Sequence, residues 1–299
     1  MAYITEEITS QPESWSRAES LARSSAVTAA LPAPGERVAV VGCGTSLFMA
    51  QCFAALREAA GGETDAFAAS QFPHHRRYDR VVALTRSGTT SEVLRLLADL
   101  PAGQRSTVVT AVPDEAATRL ADRSVVLDFA DERSVVQTRF ATTALALWRC
   151  AVGAGLGTAV DDARAVLAAP VDPALLDRRQ FTFLGTGWSV GLAHEAALKL
   201  REAAQAWAES YPAMEYRHGP ISVADAQSAV WILGPAPDGL REDVAATGAM
   251  VVQSPADPMA QLVAAQRLAV AVADRKGLDP DRPRHLTRSV VLPATASRP

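Results

Sequence analysis

Residues 37–60 read RVAVVGCGTSLFMAQCFAALREAA. The run at 37–41 is apolar and β-branched, the composition of a short strand buried on both faces. Gly42, Gly44, Thr45 and Ser46 then suit a tight turn, and residues 45–60 carry apolar side chains at helical spacing. Strand, glycine turn and helix make half of a βαβ unit, whose strands pair in parallel under helices. The alternation continues with strand-like runs at 80–84, 106–111 and 124–128 and helical segments at 89–99, 114–120 and 138–154. Residues 35–155 are therefore expected to form one α/β unit.

The opening pattern returns later as QFTFLGTGWSVGLAHEAALKLREAA, 180–204. Gly42-x-Gly44-x-Ser46 and Gly185-x-Gly187-x-Ser189 lie 143 residues apart, and Arg57-Glu58-Ala59-Ala60 and Arg201-Glu202-Ala203-Ala204 lie 144 apart. Two matches at nearly one offset predict a second, similar unit over 179–299. A softer stretch of Gly, Asp and Pro at 156–178 reads as the link, with a helical reading open for 160–168. Residues 1–34 read as a helical segment, one helix from about Pro12 to Ala30 with Ser10 as its cap.

The chain has 299 residues, a formal charge of −4, 48% hydrophobic and 21% charged residues. These values exclude extensive disorder, and without a basic stripe they exclude a nucleic-acid footprint. The start, MAYITEEITSQPESW, is acidic and lacks the apolar core of a signal peptide. No apolar run reaches the roughly 18 residues of a membrane span, so no membrane partner is expected. Cys43, Cys52 and Cys150 lack CxxC spacing, which argues against a disulfide framework or metal site and for a cytoplasmic location. Of 29 basic residues only Lys199 and Lys276 are lysine. Lysine is a nucleophile and arginine is not, so the bias bears on mechanism.

ALTRSGTTSEVLRLL, 83–97, reads as a strand ending in a hydroxyl-rich turn that opens a helix. Clustered hydroxyls, a permissive glycine and free N–H groups at a helix start suit an oxyanion, with Arg86 available for a charged contact. The plain alternative is a capping box of Thr89 and Glu92. The second copy has Gly234-Pro235-Ala236-Pro237 at the matching place, so only the first copy keeps a polar site. GCGTS, 42–46, lacks the full GxGxxG and does not support a dinucleotide site, and no Walker loop is present. Farther on, Glu195, Lys199 and Glu202 share one helix face. A Glu–Lys pair at this spacing is commonly a solvated surface pair, whereas Glu202 among apolar neighbours suits a base. Glu215 and His218 follow in a turn closed by Gly219-Pro220.

Taken in order, GCGTS, TRSGTTSE, ERSVVQTRFATTAL, EAALKLREAA, RHGP and DRPRHLTRSVVL resemble sugar isomerase (SIS) domain proteins over about residues 35–295. The likeness is to the isomerase half of glutamine–fructose-6-phosphate amidotransferases and to glucosamine-6-phosphate deaminase and fructosamine deglycase relatives. It implies an α/β fold of two tandem flavodoxin-like units, each a parallel sheet flanked by helices, and a homodimer binding a 6-phosphosugar without a cofactor or metal. By the same resemblance the phosphate falls on Ser46, Thr85, Ser87 and Thr90, with Thr45, Arg86 and Gly88 alongside. Glu132, Val135 and Gln137 fall in the stretch that holds sugar hydroxyls, with Lys199 nearby. Glu202 falls on the base that moves a proton between C1 and C2, and His218 on a ring-opening histidine supplied by the neighbouring subunit.

Two departures shape the expected reaction. The chain begins Met1-Ala2 and is too short for a glutaminase domain, so no glutamine-dependent amidotransfer is expected. Where the resemblance implies an imine-forming lysine in the tail, this sequence has Arg288, which stays protonated and forms no Schiff base. The remaining base, histidine and phosphate turn favour opening of an aldose phosphate and removal of its C2 proton, giving aldose–ketose isomerisation or, from a free C2 amine, deamination. Elimination of the C3 hydroxyl from N-acetylglucosamine 6-phosphate is the first alternative, with Arg288 binding the sugar or an enediolate oxygen. A non-catalytic phosphosugar sensor is the second, and retention of Glu202 and His218 counts against it.

Overall fold

The computed structural model describes residues 2–293. Three helices come first: α1 (Tyr3–Thr9), α2 (Gln11–Ala22) and α3 (Ser25–Ala30). The single opening helix expected from the sequence is thus divided. Ser10 does not cap α2; its hydroxyl donates back to the Glu7 carbonyl. Pro12 sits at the start of α2, where a missing N–H costs nothing.

The first sheet comprises β1 (Val38–Gly42), β2 (Thr64–Ala68), β3 (Arg80–Leu84), β4 (Arg105–Thr110) and β5 (Arg123–Val126). They are connected through α4 (Thr45–Ala59), α5 (Ser91–Ala98) and α6 (Ala116–Leu120), and α7 (Arg139–Ala151) follows. The order is β2-β1-β3-β4-β5 and every pairing is parallel, the flavodoxin-like arrangement. β1 and β3 are buried at every residue, which is why they read as continuous apolar runs. β2 was not legible as a strand: TDAFA is a half-buried edge with little apolar signal.

Residues 156–178 are more than a link. They hold α8 (Ala159–Ala168) and α9 (Pro173–Leu176), and α8 packs on α2 and on the last helix, α12 (Pro258–Arg275). The second sheet contains β6 (Gln180–Gly185), β7 (Trp207–Pro212), β8 (Ser228–Leu233) and β9 (Met250–Gln253), with α10 (Ser189–Ala204) and α11 (Leu240–Ala246) between them. Its order, β7-β6-β8-β9, is again all parallel and repeats the first four positions of the other sheet. The edge strand β7 went unread for the same reason as β2.

The repeated letters have physical causes. A Cβ on Gly42 would lie 2.5 Å from the Ser46 carbonyl carbon, and one on Gly185 would clash with the Ser189 backbone in the same way. Only glycine permits a helix to restart so close to its strand. At the far end of each helix an arginine fixes the next edge strand. Arg57 donates to Glu63 O at 2.9 Å and Thr64 Oγ1 at 2.8 Å, and Arg201 donates to Ala208 O at 2.9 Å. The neighbouring glutamates differ. Glu58 accepts from the Thr64 N–H at 2.5 Å, whereas Glu202 bonds to Lys199. One apolar core runs through α2, α4, α7, α10 and α12 and joins the two sheets. No helix among the described residues is long and apolar enough to cross a membrane, and the three cysteines are free.

Candidate functional site

The chain leaves β1 toward β2 on one side and reaches β3 on the other. The carboxyl ends of β1 and β3 therefore flank the switch point of the first sheet, where open α/β folds leave a crevice. Ser46, Thr85, Ser87 and Thr90 line one narrow cleft there, with Gln137 and Arg288. Thr85 Oγ1 and Gln137 Oε1 are buried without a partner, so polar capacity remains to be satisfied. Gly88 takes φ +70°, and a Cβ there would lie 2.7 Å from Glu115 Cβ, so the turn demands glycine. The alternative capping box is not formed: α5 starts at Ser91, and its cap residue Thr90 makes no side-chain capping bond. Ser87 and Thr89 instead bond to each other and to Ser289. Cys43, which the sequence did not single out for this site, also lines the cleft; burial and Glu92 push its thiol up to about 11, so it is inert.

Arg86 lines the same cleft, but its guanidinium is engaged by backbone carbonyls. It is 2% exposed and donates to Ser134 O at 3.0 Å, Val135 O at 3.2 Å and Arg288 O at 2.9 Å, with Glu132 at 3.7 Å. Desolvation pulls its pKa down, opposed chiefly by Glu132. The charge expected to meet an anion instead ties the 132–137 segment to the tail. Glu132 is spent locally too. Its Oε1 accepts from the N–H groups of Thr138 at 2.6 Å and Arg139 at 2.7 Å, capping α7, while Oε2 is buried without a hydrogen bond. Val135 contributes backbone, its N–H bonding to Asp281 O at 3.1 Å.

The acid/base row lies on α10. This helix runs antiparallel to α4, with Phe48 beside His194 and Thr45 beside Glu195 and Lys199. Its last turns therefore project past the start of α4, over the carboxyl ends of the first sheet. Lys199 Nζ lies 2.5 Å from Glu202 Oε2, 3.3 Å from Glu195 Oε1 and 3.1 Å from Thr45 Oγ1. Of the two readings left open for Glu195–Lys199, the solvated surface pair is excluded: they are 0% and 1% exposed. Gly191, one turn before Glu195 on that face, lets α4 approach: a Cβ there would lie 2.4 Å from Phe48 O. Burial pushes the Glu195 carboxyl up to about 7 despite Lys199, and the nearby Glu202 charge adds to the rise. For Lys199 burial acts downward, but two carboxylates outweigh it and hold the ammonium protonated. Glu202, at 19% side-chain exposure, is the member that reaches solvent.

Arg288 bonds to Asp131 Oδ1 at 2.5 Å and to the Glu132 carbonyl, so its guanidinium is engaged. His218 follows the turn Glu215–Arg217 beyond the carboxyl end of β7 and is exposed. Glu202 stands near the amino end of that strand. The two are about 15–20 Å apart along the second sheet within one chain, so they do not meet. Among the described residues no three His, Cys, Asp or Glu side chains gather as a metal-ligand set.

No family model matches the chain. The glutamine–fructose-6-phosphate aminotransferase (isomerizing) of Sulfolobus acidocaldarius is 28% identical over 297 residues, covering 86% of this chain and 50% of its own. That of Caulobacter vibrioides is 28% identical over 97% of this chain and 59% of its own. The chain thus spans about half the length of the curated relatives it matches. Among solved structures, glucosamine-6-phosphate deaminase from Thermotoga maritima has TM-score 0.77 at 22% identity, over 97% of this chain and all of that one. Tagatose-6-phosphate ketose/aldose isomerase from Escherichia coli has TM-score 0.78 at 20% identity, over 99% and 97%. At these identities the structures speak for the fold. Relatives and neighbours together support the sugar isomerase (SIS) family reading of the chain.

Proposed function

We propose that this chain processes an aldose or amino-sugar 6-phosphate by moving its C2 proton. The observation that carries the reading is the Glu202–Lys199–Thr45 row, which ends one residue before Ser46 in the hydroxyl cleft. The names of its relatives point to the same chemistry. The hydroxyls and the N–H groups opening α5 hold the phosphate, and Gln137 and the 132–135 backbone face the sugar. Glu202 takes the C2 proton of the open-chain aldose as its carbonyl gains enediolate character, then returns the proton to C1. With the hydroxyl proton passing from O2 to O1 the product is a ketose; where C2 carried a free amine the same transfer gives the C2 imine, which water hydrolyses to the ketose and ammonia. Lys199 pairs with Glu202 and offsets charge that develops on the enediolate. His218 of a second copy opens the ring, which makes the homodimer the working unit.

Elimination of the C3 hydroxyl is a second reading, favoured by Arg288, whose guanidinium is held by Asp131 and forms no imine. One experiment separates the outcomes. Incubation with glucosamine 6-phosphate, N-acetylglucosamine 6-phosphate or fructose 6-phosphate in deuterated water is followed by NMR. Deuterium at C2 or C1 marks proton transfer, and a vinylic C2–C3 signal marks elimination. Glu202→Gln is expected to abolish either signal, about a thousandfold or more, while phosphate binding survives. Unchanged exchange in that variant removes Glu202 as the base, and binding without exchange of any sugar leaves a sensor.

A further inference from the structure

Glu7 belongs to no motif of the sequence, yet its side chain ends against the stretch that leads to Gln137. It lies on α1 between Ile4 and Ile8, and is itself 3% exposed. Its Oε1 accepts from the N–H groups of Arg133 at 2.6 Å and Ser134 at 3.2 Å, and its Oε2 accepts from the Ser134 hydroxyl. None of these partners is a cation, so hydrogen bonds rather than an opposite charge offset the burial of this carboxyl. The helix that carries it is fixed independently. Asp281 accepts from the Tyr3 and Ile4 N–H groups, both at 2.8 Å, and Ile4 and Ile8 enter the main core.

Residues 132–137 form neither helix nor strand, so side chains from elsewhere must set their path. Glu132 holds the N–H groups of Thr138 and Arg139, and Arg86 holds the carbonyls of Ser134 and Val135. Glu7 supplies what these two do not, the acceptor for the N–H groups of 133 and 134. Three residues beyond Ser134, Gln137 Oε1 stays unpartnered in the cleft. We propose that Glu7 is a positioning residue for the sugar: it fixes the 133–134 turn so that the Val135 backbone and Gln137 meet the sugar hydroxyls already ordered. This rests on the phosphosugar reading above. The role belongs to hydrogen bonding and not to charge. A glutamine at position 7 can accept from both N–H groups and donate to the Ser134 hydroxyl, whose own proton then serves the Val136 carbonyl 2.9 Å away. Alanine can do neither.

The test measures calorimetric binding of two ligands to the full chain and to Glu7→Ala, Glu7→Gln and Ser134→Ala. One ligand is inorganic phosphate. The other is whichever of glucosamine 6-phosphate, N-acetylglucosamine 6-phosphate and fructose 6-phosphate binds the wild type most tightly. Glu7→Ala should bind the sugar phosphate about tenfold more weakly and inorganic phosphate as the wild type does, and Glu7→Gln should restore the sugar-phosphate affinity. Ser134→Ala loses one hydroxyl and little volume; it should show the same selective loss at about threefold, and it decides the outcome if Glu7→Ala does not fold. Unchanged sugar-phosphate binding, an equal loss for both ligands, or no recovery in Glu7→Gln overturns the inference and leaves the phosphosugar reading in place. A wild-type chain that binds none of the sugar phosphates better than inorganic phosphate removes that reading, and the role of Glu7 with it.

Discussion

Replacement of Lys199 by methionine tests whether the buried row is held by charge. The side chain keeps its bulk but loses its ammonium, leaving Glu195 with only the Thr45 hydroxyl, which lies 3.2 Å away. Breaking a buried ion pair from one side costs about 3–5 kcal/mol. The cost depends on pH in a definite direction. The folded-state pKa of Glu195 is raised from 4.5 to about 7, a difference worth about 3 kcal/mol. A carboxyl shifted upward stabilises the fold below its unfolded value, and that contribution is lost as pH rises through about 7. Without Lys199 the carboxyl rises further. Near pH 5.5 Glu195 is protonated and needs no cation, so the variant should melt close to the wild type; near pH 8.5 its melting temperature should fall by roughly 10 °C. Thermal unfolding followed by circular dichroism at both pH values reads the difference. Glu195→Gln combined with Lys199→Met supplies the neutral control, which should lose the pH dependence. A deficit equal at both pH values, or larger at the lower one, refutes the assignment of Glu195 as the group that needs Lys199.

Separate predictions address the other parts of the site. Mixing inactive Glu202→Gln and His218→Ala proteins should restore activity up to about one quarter of the wild type, because a mixed homodimer regenerates one intact site; no recovery on mixing removes the donation of His218 across a dimer. Arg86→Met should release the tail from Ser134, Val135 and Glu132, with tryptic cleavage after Arg288 several-fold faster and stability lowered by about 3 kcal/mol as Glu132 loses its cation. An unaltered digestion rate would remove Arg86 as the tie.

Much of the architecture was legible because buried parallel strands leave a local trace. β1, β3, β6 and β8 are mostly apolar and almost wholly buried, and Gly42 and Gly185 mark turns that admit no side chain. The edges β2 and β7 left no such trace, since each has one flank open and mixes Asp, Glu or Ser into its run. The site was legible as a set of residue types and less so as a set of directions. Arg86 reads as an anion ligand because it sits in a hydroxyl turn, yet carbonyls 48 to 202 residues away engage its guanidinium. A surface reading stays open for Glu195 because helical spacing records which residues share a face, not what covers it. The covering helix, α4, lies about 150 residues earlier in the chain.

The antiparallel seating of α4 against α10 has a consequence for how the two halves change. The later half supplies Lys199 and Glu202 to the mouth of the earlier half's sheet, and its own strand ends are released from that duty. Glu58 is a ligand for the Thr64 backbone, and its counterpart Glu202 pairs with Lys199. Gly234-Pro235 can stand where the first copy needs Thr85-Arg86. On the proposed reading neither half carries a complete set of groups: the first holds the hydroxyl cleft and the second holds Lys199 and Glu202.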